Sequence, residues 1–275
     1  MLKKLSLPPH ALRIFDKHFS YAMPAIVGLL IIVLAVPRLI TEVQLVPAEA
    51  VLEKLRLTPV DKLSSASTQK SLKQVEAGLQ GAAKIHDGNP DIYADLAFAQ
   101  LSQLDMIDAT SPEGKALLTK AIKNLEESLR RNPANSFAWA RLASALVFKD
   151  GRVTAEALDA LRWSYRTGPF MEKLAYFRTD LGIRIYRELD FDLKQRLSEE
   201  IEFFFQINWA ARLELLSLGC KHKAAFIIQN AIAGILDTKE LDSYYTSFLS
   251  PTACKHIAES RKRKEQEEAN EKDKK

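Results

Sequence analysis

Asn132-Pro133-Ala134-Asn135-Ser136-Phe137-Ala138-Trp139-Ala140-Arg141-Leu142-Ala143 reads as the break between two helices followed by the first turns of the second. Proline cannot continue a helix. After the break an aromatic residue, Trp139, is followed by Leu142 and the small Ala143. Residues three and four apart share one helix face, so these three form a single packing stripe. The same order stands earlier in the chain, where Asn89-Pro90 precedes Tyr93-Ala94-Asp95-Leu96-Ala97. In both places an amphipathic stretch runs into the proline.

Working outward, apolar residues from Leu72 onward recur at three- and four-residue spacing and few runs alternate in twos, which predicts an all-α fold. The pattern predicts helices over about 69–85, 91–104, 112–131, 136–148, 154–166, 172–189, 193–206, 209–218, 221–236 and 239–249, with no strand. Ser111 is suited to cap the third of these, with Pro112 in its first turn. Gly88 and Pro90 end the first, and Asp190 and Asp192 fit the turn that caps the helix from Leu193. Residues 38–68, with Pro47, Pro59 and Ser64-Ser65-Ala66-Ser67, read as a linker holding one short helix near 48–57.

On these residues the chain resembles tetratricopeptide-repeat proteins. In that family an aromatic packs with Leu and a small residue on the first helix, small residues on the second helix let the pair close, and proline ends the unit. Ala121, Leu125 and Ser128 fall at second-helix positions, and Ala155, Ala157 and Ala160 supply small residues after Trp139. Leu96 and Leu142 are 46 residues apart, against a family period of about 34. A loop around Asp105–Gly114 takes up the excess. The resemblance covers residues 69–166 and implies an α-solenoid of helix pairs over 69–170, with a further helical region over 171–254. A second resemblance, carried by Ala160-Leu161-Arg162-Trp163-Ser164-Tyr165-Arg166-Thr167-Gly168-Pro169-Phe170 and the helix through Leu181-Gly182-Ile183, is to membrane-anchored repeat proteins of bacterial exopolysaccharide and surface-polysaccharide systems.

Near the start, Phe19 to Pro37 (FSYAMPAIVGLLIIVLAVP) carries no charge and is flanked by Lys17 and Arg38. Nineteen helical residues span roughly 28 Å, about the hydrocarbon thickness of a bilayer. Pro24 sits in the first turns, where its missing N–H costs least. Lys3, Lys4, Arg13 and Lys17 against Asp16 place residues 1–18 in the cytoplasm and the rest of the chain across the membrane, outside it. The expectation is a single-pass protein of a bacterial inner membrane with a periplasmic helical domain. A cleaved signal peptide with Val33 and Ala35 before the cut is the rival reading. No cysteine directly follows the apolar run, so a lipoprotein anchor is not the expectation.

Formal net charge is +4 on 275 residues, with 27% charged. That weak excess gives no basis for nucleic-acid binding. Residues 255–275 hold eight Lys or Arg and six Asp or Glu and no Gly or Pro. They predict a solvated helix extension or a disordered tail. The five histidines form no i, i+4 pair, there is no glycine-rich phosphate loop and no Gly-x-Ser-x-Gly turn. The expectation is therefore a binding protein with no catalytic site, cofactor or metal.

Cys220-Lys221-His222 and Cys254-Lys255-His256 repeat each other. Residues two apart on a helix diverge, so neither pair chelates unless it lies in a turn. A Cys220–Cys254 disulfide in an oxidising compartment and two separate, packed thiols both remain open. Phe203-Phe204-Phe205 with Trp209 is denser than one helix face can bury, which offers either core or an apolar docking surface. Arg162, Arg166, Lys173, Arg178, Arg184 and Arg187 around Trp163 suggest an anion-facing groove, although seven bases meet six acids between Arg152 and Asp190 and a solvated, ion-paired surface is the preferred reading. Arg162, Arg166 and Phe204 are the candidate partner-binding residues. The partners implied are the bilayer, other envelope proteins and, as an alternative, a glycan.

Overall fold

The computed structural model describes residues 23–36, 39–40, 50–52, 66–85, 88–104, 107, 110–244, 252, 254, 255 and 259. The described residues form helices, 3-10 turns and loops without a strand, so the fold is all-α. The chain divides into two compact units, residues 1–108 and 109–275.

The first unit holds α1 (residues 23–36), α2 (Ala66–Ile85) and α3 (Pro90–Leu104). Leu72, Val75, Leu79 and Ala82 repeat at helical spacing along α2 and close against Ile92, Leu96 and Ala99 of α3, with Leu52 added to the cluster. Each buried leucine contributes about 1.5–3 kcal/mol by leaving water. At the edge of this core Glu76 accepts from the amides of Gln100 (2.9 Å) and Gln103 (3.0 Å), so two buried glutamines have partners. α2 begins at Ala66, inside the expected linker. Of the expected helix near 48–57, residues 50–52 are helical and the remainder lies outside the described residues.

α1 is apolar around its whole circumference, and Ile26, Leu29, Leu30 and Leu34 are each more than half exposed. The expected span Phe19–Pro37 is longer than this helix, because residues 19–22 and 37 lie outside the described residues. Among the described residues no helix is long and apolar enough to cross a membrane. The basic segment 1–18 also lies outside them, as does the charged tail apart from Lys255 and Glu259, both helical.

The second unit runs through α4 (Pro112–Arg131), α5 (Ser136–Asp150), α6 (Ala155–Thr167), α7 (Glu172–Arg184), a 3-10 turn (Tyr186–Glu188), α8 (Phe191–Ile207), α9 (Trp209–Lys221), α10 (Ala225–Ile232) and α11 (Thr238–Tyr244). α4 packs on α5 and α5 on α6; α7 packs on α8, and α8 and α9 share α10. Side-chain caps set the starts. Ser111 accepts from Gly114 N, Asn135 from Ala138 N, Thr154 from Ala157 N, Asp190 from Leu193 N and Asn208 from Ala211 N. Each occupies one orphan N–H of a first turn. Of the residues expected inside helix pairs, Ala121, Leu125 and Ser128 on α4 and Ala157 and Ala160 on α6 are buried, whereas Ala155, at the start of α6, is exposed. Leu142 and Ala143 are buried with them, whereas Trp139 is only half-buried.

Several boundaries differ from the periodicity, α10 ending at Ile232 rather than 236 among them, and two of them mark turns. The helix expected to reach residue 189 stops at Arg184, because the chain tightens into the 3-10 turn before Asp190 caps α8. The helix expected from residue 221 begins at Ala225, since Lys223 takes a left-handed conformation (φ 53°) and α9 extends to Lys221. Apolar spacing carries no information on such a turn.

Candidate functional site

The densest polar chemistry lies where α6, α7 and α8 meet. Arg178 of α7 and Glu200 of α8 are buried, 0% and 1% exposed, and Arg178 Nη2 donates to Glu200 Oε1 at 2.6 Å. Arg178 Nη1 donates to the carbonyls of Ser164 (3.1 Å) and Gly168 (2.8 Å) at the end of α6. The guanidinium thus supplies the Gly168 carbonyl with a donor, adds a second to the Ser164 carbonyl that the Gly168 N–H already bonds, and sits at the negative dipole end of α6. The Tyr165 ring lies under it, 4.6 Å from the guanidinium carbon. Burial pushes the Glu200 carboxyl above its usual range, against the pull of Arg178. Burial, with Glu200 nearby, also pushes the Tyr165 phenol up. Gly168 is required at this corner, since an added Cβ would lie 2.5 Å from Met171 Sδ and from Ser136 Oγ. Enclosed on all sides, this cluster joins three helices and offers no surface to a ligand.

The three candidate partner residues have separate surroundings. Arg162 forms ion pairs with Asp159, Asp190 (2.5 Å) and Asp192 (3.7 Å), tying α6 to the start of α8. Arg166 is exposed and lies over the ring of Trp163 at 5.5 Å. Trp163, 46% exposed, stacks on Trp139 with centroids 5.9 Å apart. Phe204 is not a surface residue: it is 3% exposed and meets Tyr176 edge-on. α8 is covered by α7 and also by α9 and α10, so the adjacent Phe204 and Phe205 are both buried and only Phe203 reaches the periphery. The anion groove read from sequence is likewise absent at Arg178, which is internal.

Cys220 and Cys254 are joined by a disulfide, with Cα atoms 5.2 Å apart. The residues after Cys220 are also engaged, because Asp180 of α7 accepts from Lys221 Nζ (2.9 Å) and bonds His222 Nε2 (2.9 Å). Burial alone would raise the Asp180 carboxyl, but the His222 and Lys221 hydrogen bonds hold it below its ordinary value. Among the described residues no cluster of His, Cys, Asp or Glu is arranged to hold a metal ion.

A cleft of about 510 Å³ opens between the α8–α9 corner and α11. Phe205, Trp209 and Arg212 form one side, and Lys239, Glu240 and Tyr244 lie on the other. Arg212 Nε donates to the Phe205 carbonyl at 2.8 Å and its guanidinium lies 4.4 Å over the Phe205 ring. Tyr244 meets the same ring edge-on at 5.4 Å. Burial pushes the Tyr244 phenol up to about 12. The aromatic run in the sequence marked this corner. Residues 239–244, placed beside it by the fold, carried no motif.

Comparison with protein-family models, curated proteins and solved structures yields no match.

Proposed function

We propose that the chain is a membrane-anchored, non-catalytic interaction scaffold or assembly factor of a bacterial cell-envelope complex, with surface-polysaccharide synthesis or export as its setting. The observation that carries this reading is α1. Large apolar side chains are exposed on every side of it, from Met23 to Val36, and a helix hydrophobic all round needs an apolar solvent or partner. The sequence on either side extends the uncharged run to Phe19–Pro37, enough for a bilayer. A basic leading flank then points the N-terminus to the cytoplasm. The Cys220–Cys254 disulfide supports a periplasmic location for the rest, since such bonds persist in oxidising compartments. Stacked helix pairs and exposed aromatics such as Trp163 supply a contact surface for envelope proteins.

The experiment is topology plus partner capture. Full-length chain should stay in membranes through carbonate washing, and a reporter active only in the periplasm should work after Lys275 and fail before Met1. Crosslinking in intact cells should recover a membrane complex. A soluble mature chain starting near Val36 would instead establish a cleaved signal peptide. A second reading, a glycan-contacting accessory of a polysaccharide enzyme, is favoured by the 54% exposed Trp209 at the mouth of the cleft.

A further inference from the structure

The cleft between α8–α9 and α11 gathers two cationic side chains, Arg212 and Lys239, beside an aromatic wall. Its volume, about 510 Å³, is comparable with that of small-molecule sites, in a depression that stays broadly open to solvent. Arg212 is anchored twice, by its Nε bond to the Phe205 carbonyl and by stacking on the Phe205 ring. Anchoring of that kind removes most of the rotamer entropy that a flexible arginine loses on binding. Yet Arg212 makes no ion pair among the described residues, and neither does Lys239 across the cleft. Elsewhere in the second unit Arg130, Arg131, Arg162, Arg178 and Arg196 each meet a carboxylate, whereas Arg166 and Arg184, like Arg212, lie over an aromatic ring.

We propose that this cleft is a binding site for a carboxylate carried on a six-membered ring, with Arg212 and Lys239 as its charge partners and Trp209 as the platform for the ring. A guanidinium edge matches the two oxygens of a carboxylate, and a half-exposed indole presents a flat apolar face. Glu240 sets a limit on charge. It lines the same space, and its carboxylate accepts from Asp237 N at 3.3 Å while its own N–H donates to Asp237 Oδ1 at 2.8 Å. A fixed negative charge there disfavours a dianion and can accept from a ring hydroxyl. Hexuronic acids and aromatic acids both carry the required chemistry. The site stands apart from the membrane-anchor reading and survives or fails without it.

Isothermal titration of the full-length, disulfide-bonded protein in detergent tests the site, with sodium glucuronate, sodium benzoate and glucose as probes. At least one carboxylate should bind at roughly millimolar Kd or tighter, and glucose at least tenfold more weakly. Binding of glucuronate alone assigns the site to acidic sugars, and binding of benzoate alone to aromatic acids. Lys239→Gln, an exposed position, should weaken the bound carboxylate several-fold, and Arg212→Gln should weaken it at least tenfold with helicity unchanged by circular dichroism. The proposal is overturned if neither carboxylate binds, if glucose binds as well as glucuronate, or if Lys239→Gln and a folded Arg212→Gln both keep wild-type affinity.

Discussion

Arg178 and Glu200 meet inside the second unit with Nη2 2.6 Å from Oε1 and almost no exposure of either side chain. Two charges buried together lose their hydration, a cost that Arg178 partly offsets by donating also to the Ser164 and Gly168 carbonyls, although its Nε has no partner among the described residues. Glu200→Ala leaves the guanidinium buried without its counter-ion and is expected to cost about 3–5 kcal/mol in urea unfolding. The double change Arg178→Met with Glu200→Leu should cost clearly less than the two single changes added together. Strict additivity would show that the two groups act independently.

The acid and neutral limbs of stability should carry opposite signatures. Asp180 is held below its ordinary 3.8, so its contribution is present above that value and lost as pH falls through the lower folded one. Glu200 is held above its ordinary 4.5, so its contribution is present below that value and lost as pH rises through the higher folded one. Asp180→Asn should flatten the acid limb, and Glu200→Gln should remove the decline on the other side. Unfolding free energies across the pH range, wild type against each variant, check both signs.

Reduction of the Cys220–Cys254 bond opens a loop with a sequence separation of 34. Chain-entropy estimates put its closure at about 4 kcal/mol. Denaturant unfolding with and without dithiothreitol should show a loss of that order, and the Cys254→Ser variant should match the reduced protein. A loss below about 1 kcal/mol would mean that the unfolded chain is little constrained by the bond.

Glycines separate packing from propensity. A Cβ on Gly182 would come within 2.8 Å of Leu197 Cδ1, whereas one on Gly81 of α2 meets nothing within 4 Å. Gly182→Ala is expected to destabilise by about 1–3 kcal/mol through overpacking, and Gly81→Ala to stabilise by about 0.5–1 kcal/mol through helix propensity. Thermal unfolding of the two variants should shift in opposite directions.

Helix identity was legible because proline breaks and capping residues punctuate a clean apolar period. Pro112 to Arg131 matches the expectation residue for residue. The periodicity could not show the left-handed Lys223 or the 3-10 turn after Arg184, since neither alters which residues are apolar. It also placed Arg178 with the solvent-facing arginines. Only the fold shows that Glu200, 22 residues on, arrives opposite it. Phe204 was ambiguous for a related reason, because a helix packed on more than one side buries positions that a one-faced helix leaves out. The cleft was legible only in part: the aromatic run marked Phe205 and Trp209, whereas Arg212 carried no signal and Lys239 and Glu240 join them only through the return of α11.

The Cys220–Cys254 bond also has a mechanical side. When the chain is pulled from its ends, the residues between the two cysteines form a closed ring and bear none of the load. The tether shortens by about 110 Å of contour length, at roughly 3.3 Å per extended residue over that loop. Force is routed directly from the end of α9 to Cys254. α10 and α11, with the cleft wall they carry, lie inside the ring and are shielded from that tension.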